Sequence, residues 1–244
     1  MAFFFFCPSR HRVRLFLWLL LLGLPLILGR WLALDDSVLE TSAAGPVYHG
    51  PSSRREIALT FNVYWGEEHL PRIMQILEER RVKATFFLGG EWVERHPELA
   101  REIARRFEVG NHGYAHRHPD RLSVEENLRE IRRAAEVIKR VTGKETRLFA
   151  PPYGERGASV LEAASRAGHR VILWSIDPVD WKNPPAAVIS QIVIGKAHNG
   201  AIVLLHPTAP TAEALPHIIE ELRARGYRFV TVEELLEHGA EAEK

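Results

Sequence analysis

The residues of this 244-residue chain best suited to chemistry lie in Gly110-Asn111-His112-Gly113-Tyr114-Ala115-His116. Two histidines four apart follow a short apolar run, and Asn111 and Gly113 interrupt any regular helix there. Neutral imidazole is a common ligand for zinc and similar divalent ions, which take tetrahedral or slightly larger shells of nitrogen and oxygen. A pair held on one loop supplies half of such a shell. The chain has twelve histidines, so an isolated H-x-x-x-H is as easily incidental. Its weight depends on what other segments bring to the same place.

The elements that would position the pair alternate in type. Ile57 to Phe61, Ala84 to Leu88, Val109 to His112, Leu148 to Ala150, Arg170 to Trp174, Ala201 to Leu205 and Arg228 to Val230 read as strands. Between them lie segments of helical spacing, such as Leu70, Ile73, Met74 and Leu77. Ser123-Val124-Glu125-Glu126 is a capping box opening a helix whose Leu128, Ile131, Ala135, Ile138 and Val141 share one face. Strands separated by helices predict an α/β domain with a parallel sheet, either a barrel or a doubly wound sheet. Both put ligand sites at the C-terminal ends of strands. Those ends carry Asn62 to Gly66, His112 to His116, Pro151 to Gly154, Trp174 to Trp181, and His206. Polar and aromatic residues therefore gather where a site would form.

The N-terminus has a different character. Leu15 to Gly29 is uncharged, Trp31 to Leu34 extends the run past Arg30, and Arg10, Arg12 and Arg14 precede it. Residues 1–34 read as a cytoplasmic stub and signal-anchor helix, with the body outside by the positive-inside rule. A cleaved signal peptide is the alternative, because the core is short for a span of about 20 residues. Either reading exports the body. Residues 35–55, containing Gly45-Pro46 and Gly50-Pro51, read as a linker, and 56–238 as the domain. Beyond the leader the chain holds 28 basic against 31 acidic residues, a balance that excludes a nucleic-acid partner. The single cysteine, Cys7, lies in the leader, so no intrachain disulfide supports the exported body.

Five ordered motifs between Glu56 and His238 resemble the polysaccharide deacetylases with a NodB-homology domain. The resemblance implies a distorted (β/α)7 barrel that removes acetyl groups from cell-wall or chitin-like polysaccharide, using a divalent metal held by one Asp and two His. The family's T-F-D-D-G, holding the general base and a metal ligand, appears as Thr60-Phe61-Asn62-Val63. The H-[ST]-x-x-H motif is His112 to His116. In R-x-P-Y, Ala150 replaces the arginine that orients the base, while Pro152 and Tyr153 match. Asp180-Trp181 and Leu204-x-His206 match the last two motifs.

The resemblance thus assigns His206 as general acid, Asp180 as its support and Asn62 to the base position. It gives His112 and His116 to the metal and Tyr153, Trp181 and Leu204 to the substrate. Asn62 cannot take a proton, and Val63 cannot ligate. Glu67, just after Gly66, is the nearest substitute ligand, alternatively a solvated first-turn acid. Asp177 is a replacement base or a structural turn residue before Pro178. The expected cofactor is a divalent ion, zinc or similar, held weakly. Two functions stay open: a deacetylase of altered or reduced activity, or a degenerate deacetylase fold that binds glycan as a membrane-anchored scaffold.

Overall fold

The structure, a computed structural model, describes residues 45–242. The leader and the first part of the expected linker lie outside the described residues. Among those described, no helix is long and apolar enough to cross a membrane.

Strand β1 (Glu56–Val63) is buried along its whole length. Its neighbours run parallel, giving the order β5 (Arg170–Val171), β4 (Leu148–Phe149), β3 (Glu108–Asn111), β2 (Thr85–Leu88), β1, β6 (Ala201–Leu205). β7 (Arg228–Phe229) pairs with the start of β1. Helices fill the crossovers: α1 (Leu70–Glu79), α2 (Gly90–Arg95), α3 (Pro97–Arg106), α4 (Val124–Thr142), α5 (Ala158–Arg166), α6 (Ala186–Lys196), α7 (Ala209–Ala224) and α8 (Val232–Ala242). This is a curled parallel sheet wrapped by helices, the distorted (β/α)7 type that the motifs imply.

Alternation along β1 decides what reaches the site. Ile57, Leu59, Phe61 and Val63 join the large apolar cluster that also takes in Leu70, Trp92 and Leu215 from the surrounding helices. Ala58 belongs to a second cluster, with Phe87, Ala150, Ile172 and Ile202, inside the curl. Thr60 and Asn62 share its face. Asn62 is thereby turned toward the interior of the barrel, and Val63, fully buried, toward the sheet–helix layer.

The sheet's two edges are joined by irregular segments. Val47 donates to Val171 O at 2.9 Å and its carbonyl accepts from Leu173 at 2.7 Å. Two residues on, His49 bridges Ala201, and Gly50 donates to Gly200 O at 2.7 Å. Gly200 has φ +76°, and a Cβ there would stand 2.6 Å from the carbonyl oxygens of Gly50 and Pro51. From the other side Leu204 donates to Ile176 O at 2.9 Å. The part of the expected linker that the structure describes is thus no tether: residues 46–50 stitch β5 to β6. The fifth strand is correspondingly short, because Ile172 makes the last bond to β4, to Phe149 O, and the chain then turns to Val47 and β6.

Candidate active site

The His112–His116 loop is held from both sides. Buried Asn111 at the end of β3 accepts from Gly113 N at 2.8 Å and donates to Ile131 O at 2.8 Å. Ala115 N donates to Glu130 at 2.8 Å. Gly113 has φ +76° and His116 φ +50°, so the loop turns through two left-handed positions. The capping box that starts α4 is present as expected, and it places Glu130 and Ile131 behind the loop. Ala134, rather than Ala135, completes the buried face of that helix.

His112 is buried, and its Nδ1–H donates to Ala150 O at 2.7 Å. That bond fixes the tautomer and leaves Nε2 with a free lone pair, as a metal-ligating histidine requires. Burial, then the neighbouring His116, pushes its pKa down to about 3. Burial also lowers His116. The two rings are 5.1 Å apart, and Tyr64 and Tyr153 each pack 4.8 Å from His116.

Opposite stands a hydrogen-bonded His206–Asp180 pair. Asp180, fully buried, accepts His206 Nδ1–H at 2.8 Å through Oδ1. Its Oδ2 accepts the His206 backbone N–H and the Thr211 hydroxyl, both at 2.6 Å. Three donors hold this carboxylate in place, and with it the orientation of His206. Trp65 stacks parallel to the His206 ring at 5.8 Å. Gly66 lets that loop approach: a Cβ there would fall 2.2 Å from Pro207 O.

Asn62, His112, His116, Tyr153, Trp181, Leu204 and His206 line one cleft of about 370 Å³. Trp174 and Asp177 line it too. Trp174 packs its indole against Gly154, which has φ +68°, a contact that no spacing in the sequence indicates. His118, which reads from sequence as a surface residue, stacks under Tyr153 at 3.9 Å and is held by Glu155 at 2.8 Å. Asp177 accepts Val179 N at 2.7 Å, the turn role, while still facing the cleft.

The missing groups stay missing. Glu67 does not fold back into the cleft; it lies 3.8 Å from His96 beside α2 and α3, because the Gly66 turn directs it away from the histidines. Val63 sits in the apolar layer, and Ala150 is a buried methyl. The Asn62 Oδ1, buried beside the histidines, has no hydrogen-bond partner. Among the described residues no group of three His, Cys, Asp or Glu side chains is placed to hold a metal ion. Catalytic zinc sites use three protein ligands. The donor set here, two imidazoles with an amide and an alkyl chain where carboxylates belong, does not fit the family's metal.

The polysaccharide deacetylase family model matches residues 49–172. The peptidoglycan-N-acetylglucosamine deacetylase of Bacillus cereus is 34% identical over 200 residues, covering 80% of this chain and 73% of that protein. The uncharacterized protein YlxY of Bacillus subtilis is 36% identical over 200 residues and 82% of this chain, which spans 63% of YlxY's length. The crystal structure of BA3943, a CE4 family pseudoenzyme from Bacillus anthracis, superposes with TM-score 0.77 at 41% identity, over 78% of this chain and 68% of that one. A mutant of BA3943 has restored enzymatic activity. The chain belongs to the polysaccharide deacetylase family.

One consequence of the burial is measurable. The folded pKa of His112, about 3, lies below the ordinary histidine value of about 6.5. Below that value the unfolded chain binds a proton that the folded chain refuses, so stability falls as pH drops from about 6.5 toward 3. The slope from this one group reaches at most about 1.4 kcal/mol per pH unit. The half-buried His116 and His169, lowered by partial burial, act in the same direction. In chelator-treated protein, His112→Gln is predicted to make the acid limb of urea-derived stability shallower over that window. An unchanged limb would contradict the buried, neutral imidazole.

Proposed function

We propose that this domain binds amino-sugar glycan of the cell-wall or chitin type without hydrolysing it. The observation that carries the reading is the pattern of loss and retention in one cleft. The base position (Asn62), the ligand position (Val63) and the base-orienting arginine (Ala150) are gone together. The His206–Asp180 pair and the aromatic rim are kept. An arginine that steadies a carboxylate has no task once the carboxylate is absent, so those losses belong to one event. Tyr153 and Trp181 are 56% and 49% exposed, amphipathic surfaces of the kind on which sugar rings pack. The 41%-identical pseudoenzyme, of which a mutant has restored enzymatic activity, supports the non-hydrolytic reading.

Full-length protein is expected to release no acetate from N-acetylated chito-oligosaccharides or peptidoglycan. Asn62→Asp with Val63→Asp and Ala150→Arg restores base, ligand and orienting cation. Position 63 lies in the apolar layer, so its carboxylate has to be drawn toward the histidines by a bound dication. The triple variant should therefore be stabilised by zinc and, with zinc, release acetate, at a rate to which the base alone contributes about 10²–10⁴-fold. Wild-type turnover matching the repaired variant would overturn the proposal.

The location of the domain belongs to the same reading. We place it outside the cell, held at the membrane by residues 1–34, on the strength of the arginine cluster before the leucine-rich run. Protease added to protoplasts should digest the domain, and full protection beside a digested control would reverse the orientation.

A further inference from the structure

We propose that the cleft prefers the de-N-acetylated amino sugar, with its free ammonium, over the N-acetylated one; this deepens the glycan-binding reading and rests on it. The starting point is charge. A deacetylase cleft of this family is polarised by two cations, the metal and the arginine of R-x-P-Y. This chain has neither, since the donor set does not fit the metal and Ala150 stands in the arginine's place. No lysine or arginine lines the cleft among the described residues.

What remains is suited to a cation. Asp177 is the carboxylate on the cleft wall. Its Oδ1 accepts Val179 N, and no hydrogen bond engages its Oδ2 among the described residues. Buried Asp180 adds a second negative group behind His206. The Nδ1–H groups of His112 and His206 are already spent on Ala150 O and Asp180, so neither turns that donor toward a ligand. Asn62 holds an acceptor oxygen without a partner in the same wall. Trp174, Trp181 and Tyr153 supply aromatic faces, which attract ammonium groups. Trp181 already engages one: Lys182 Nζ, at the rim, lies 5.0 Å from its ring centroid.

An ammonium brings three donors and a charge to this wall. An acetamide brings one donor, a carbonyl that needs a donor in return, and no charge for Asp177 to meet. A hydrogen bond to a charged group contributes enough for about a 10-fold to 100-fold preference. The domain then reads the product of the reaction its relatives catalyse, marking glycan that has already lost its acetyl groups.

The test is calorimetric titration of the full-length protein with glucosamine tetramer and N-acetylglucosamine tetramer, at a pH where the amine is protonated. The glucosamine tetramer is expected to bind at least about 10-fold tighter, with a margin that shrinks as salt rises. Asp177→Asn keeps an oxygen for Val179 N–H and should erase the margin. Trp181→Ala should weaken both ligands, which locates them in the cleft rather than on the acidic surface at large. Equal binding, or tighter binding of the acetylated tetramer, overturns the preference while leaving glycan binding standing. A margin that survives Asp177→Asn overturns the assignment to this wall. Binding of neither tetramer overturns the glycan-binding reading and the preference together.

Discussion

β1 pairs with β2, β6 and β7, is buried on both faces, and its strict alternation sorts every residue it carries. Even positions from Ala58 to Asn62 look into the curl, where β6 presents Leu204 and the β3 loop presents His112. Odd positions from Ile57 to Val63 bind the helices to the sheet. A slip of one residue would exchange the two sets and dissolve both core and cleft. The consequence reaches the chemistry directly. Asn62 is kept beside the histidines by the same geometry that would have kept a carboxylate there, while Val63 is absorbed into the apolar layer at the strand's end. The barrel no longer has to bury an acid at this point. The change from acid to valine removes a desolvation cost along with a metal ligand.

The two halves of the cleft have accordingly diverged. The His206 side is over-determined: Asp180 accepts three hydrogen bonds, one from the backbone of the residue it orients, and Trp65 stacks on the His206 ring. The base half has lost its charges but not its scaffold. His112 is still aimed by Ala150 O, a backbone bond that survives the loss of the arginine side chain. Tyr153, in a left-handed conformation at φ +59°, still stands against His116. Such retention is what a binding surface requires.

Much of this was legible in the residues. β6 is bounded as expected, because Ala201 to Leu205 is an unbroken apolar run between Gly200 and His206. The capping box of α4 is local chemistry and needs no tertiary partner to be recognised. The four histidine and aspartate positions converge because each ends a strand or follows one. What escaped notice depends on contacts distant in sequence. Residues 46–50 carry Gly and Pro and read as a tether, yet they stitch one sheet edge to the other. Their role appears only when β5 and β6 are brought together. β5 ends at Val171 rather than at Trp174 because its last residues trade one partner for another. Glu67 is adjacent to the site in sequence, but the direction of a turn, not its proximity, decides where a side chain goes. His118 had no neighbour in sequence to suggest that it would stack beneath Tyr153.

A cleft of this family persists here with two imidazoles, an amide and an alkyl side chain where the family's metal shell would stand. The most direct measurement is calorimetric titration of the chelator-treated wild-type protein with zinc. No stoichiometric binding is expected at micromolar zinc, because two imidazoles without a carboxylate fall short of the usual three ligands. One equivalent bound with submicromolar affinity, and lost in His112→Ala, would contradict it.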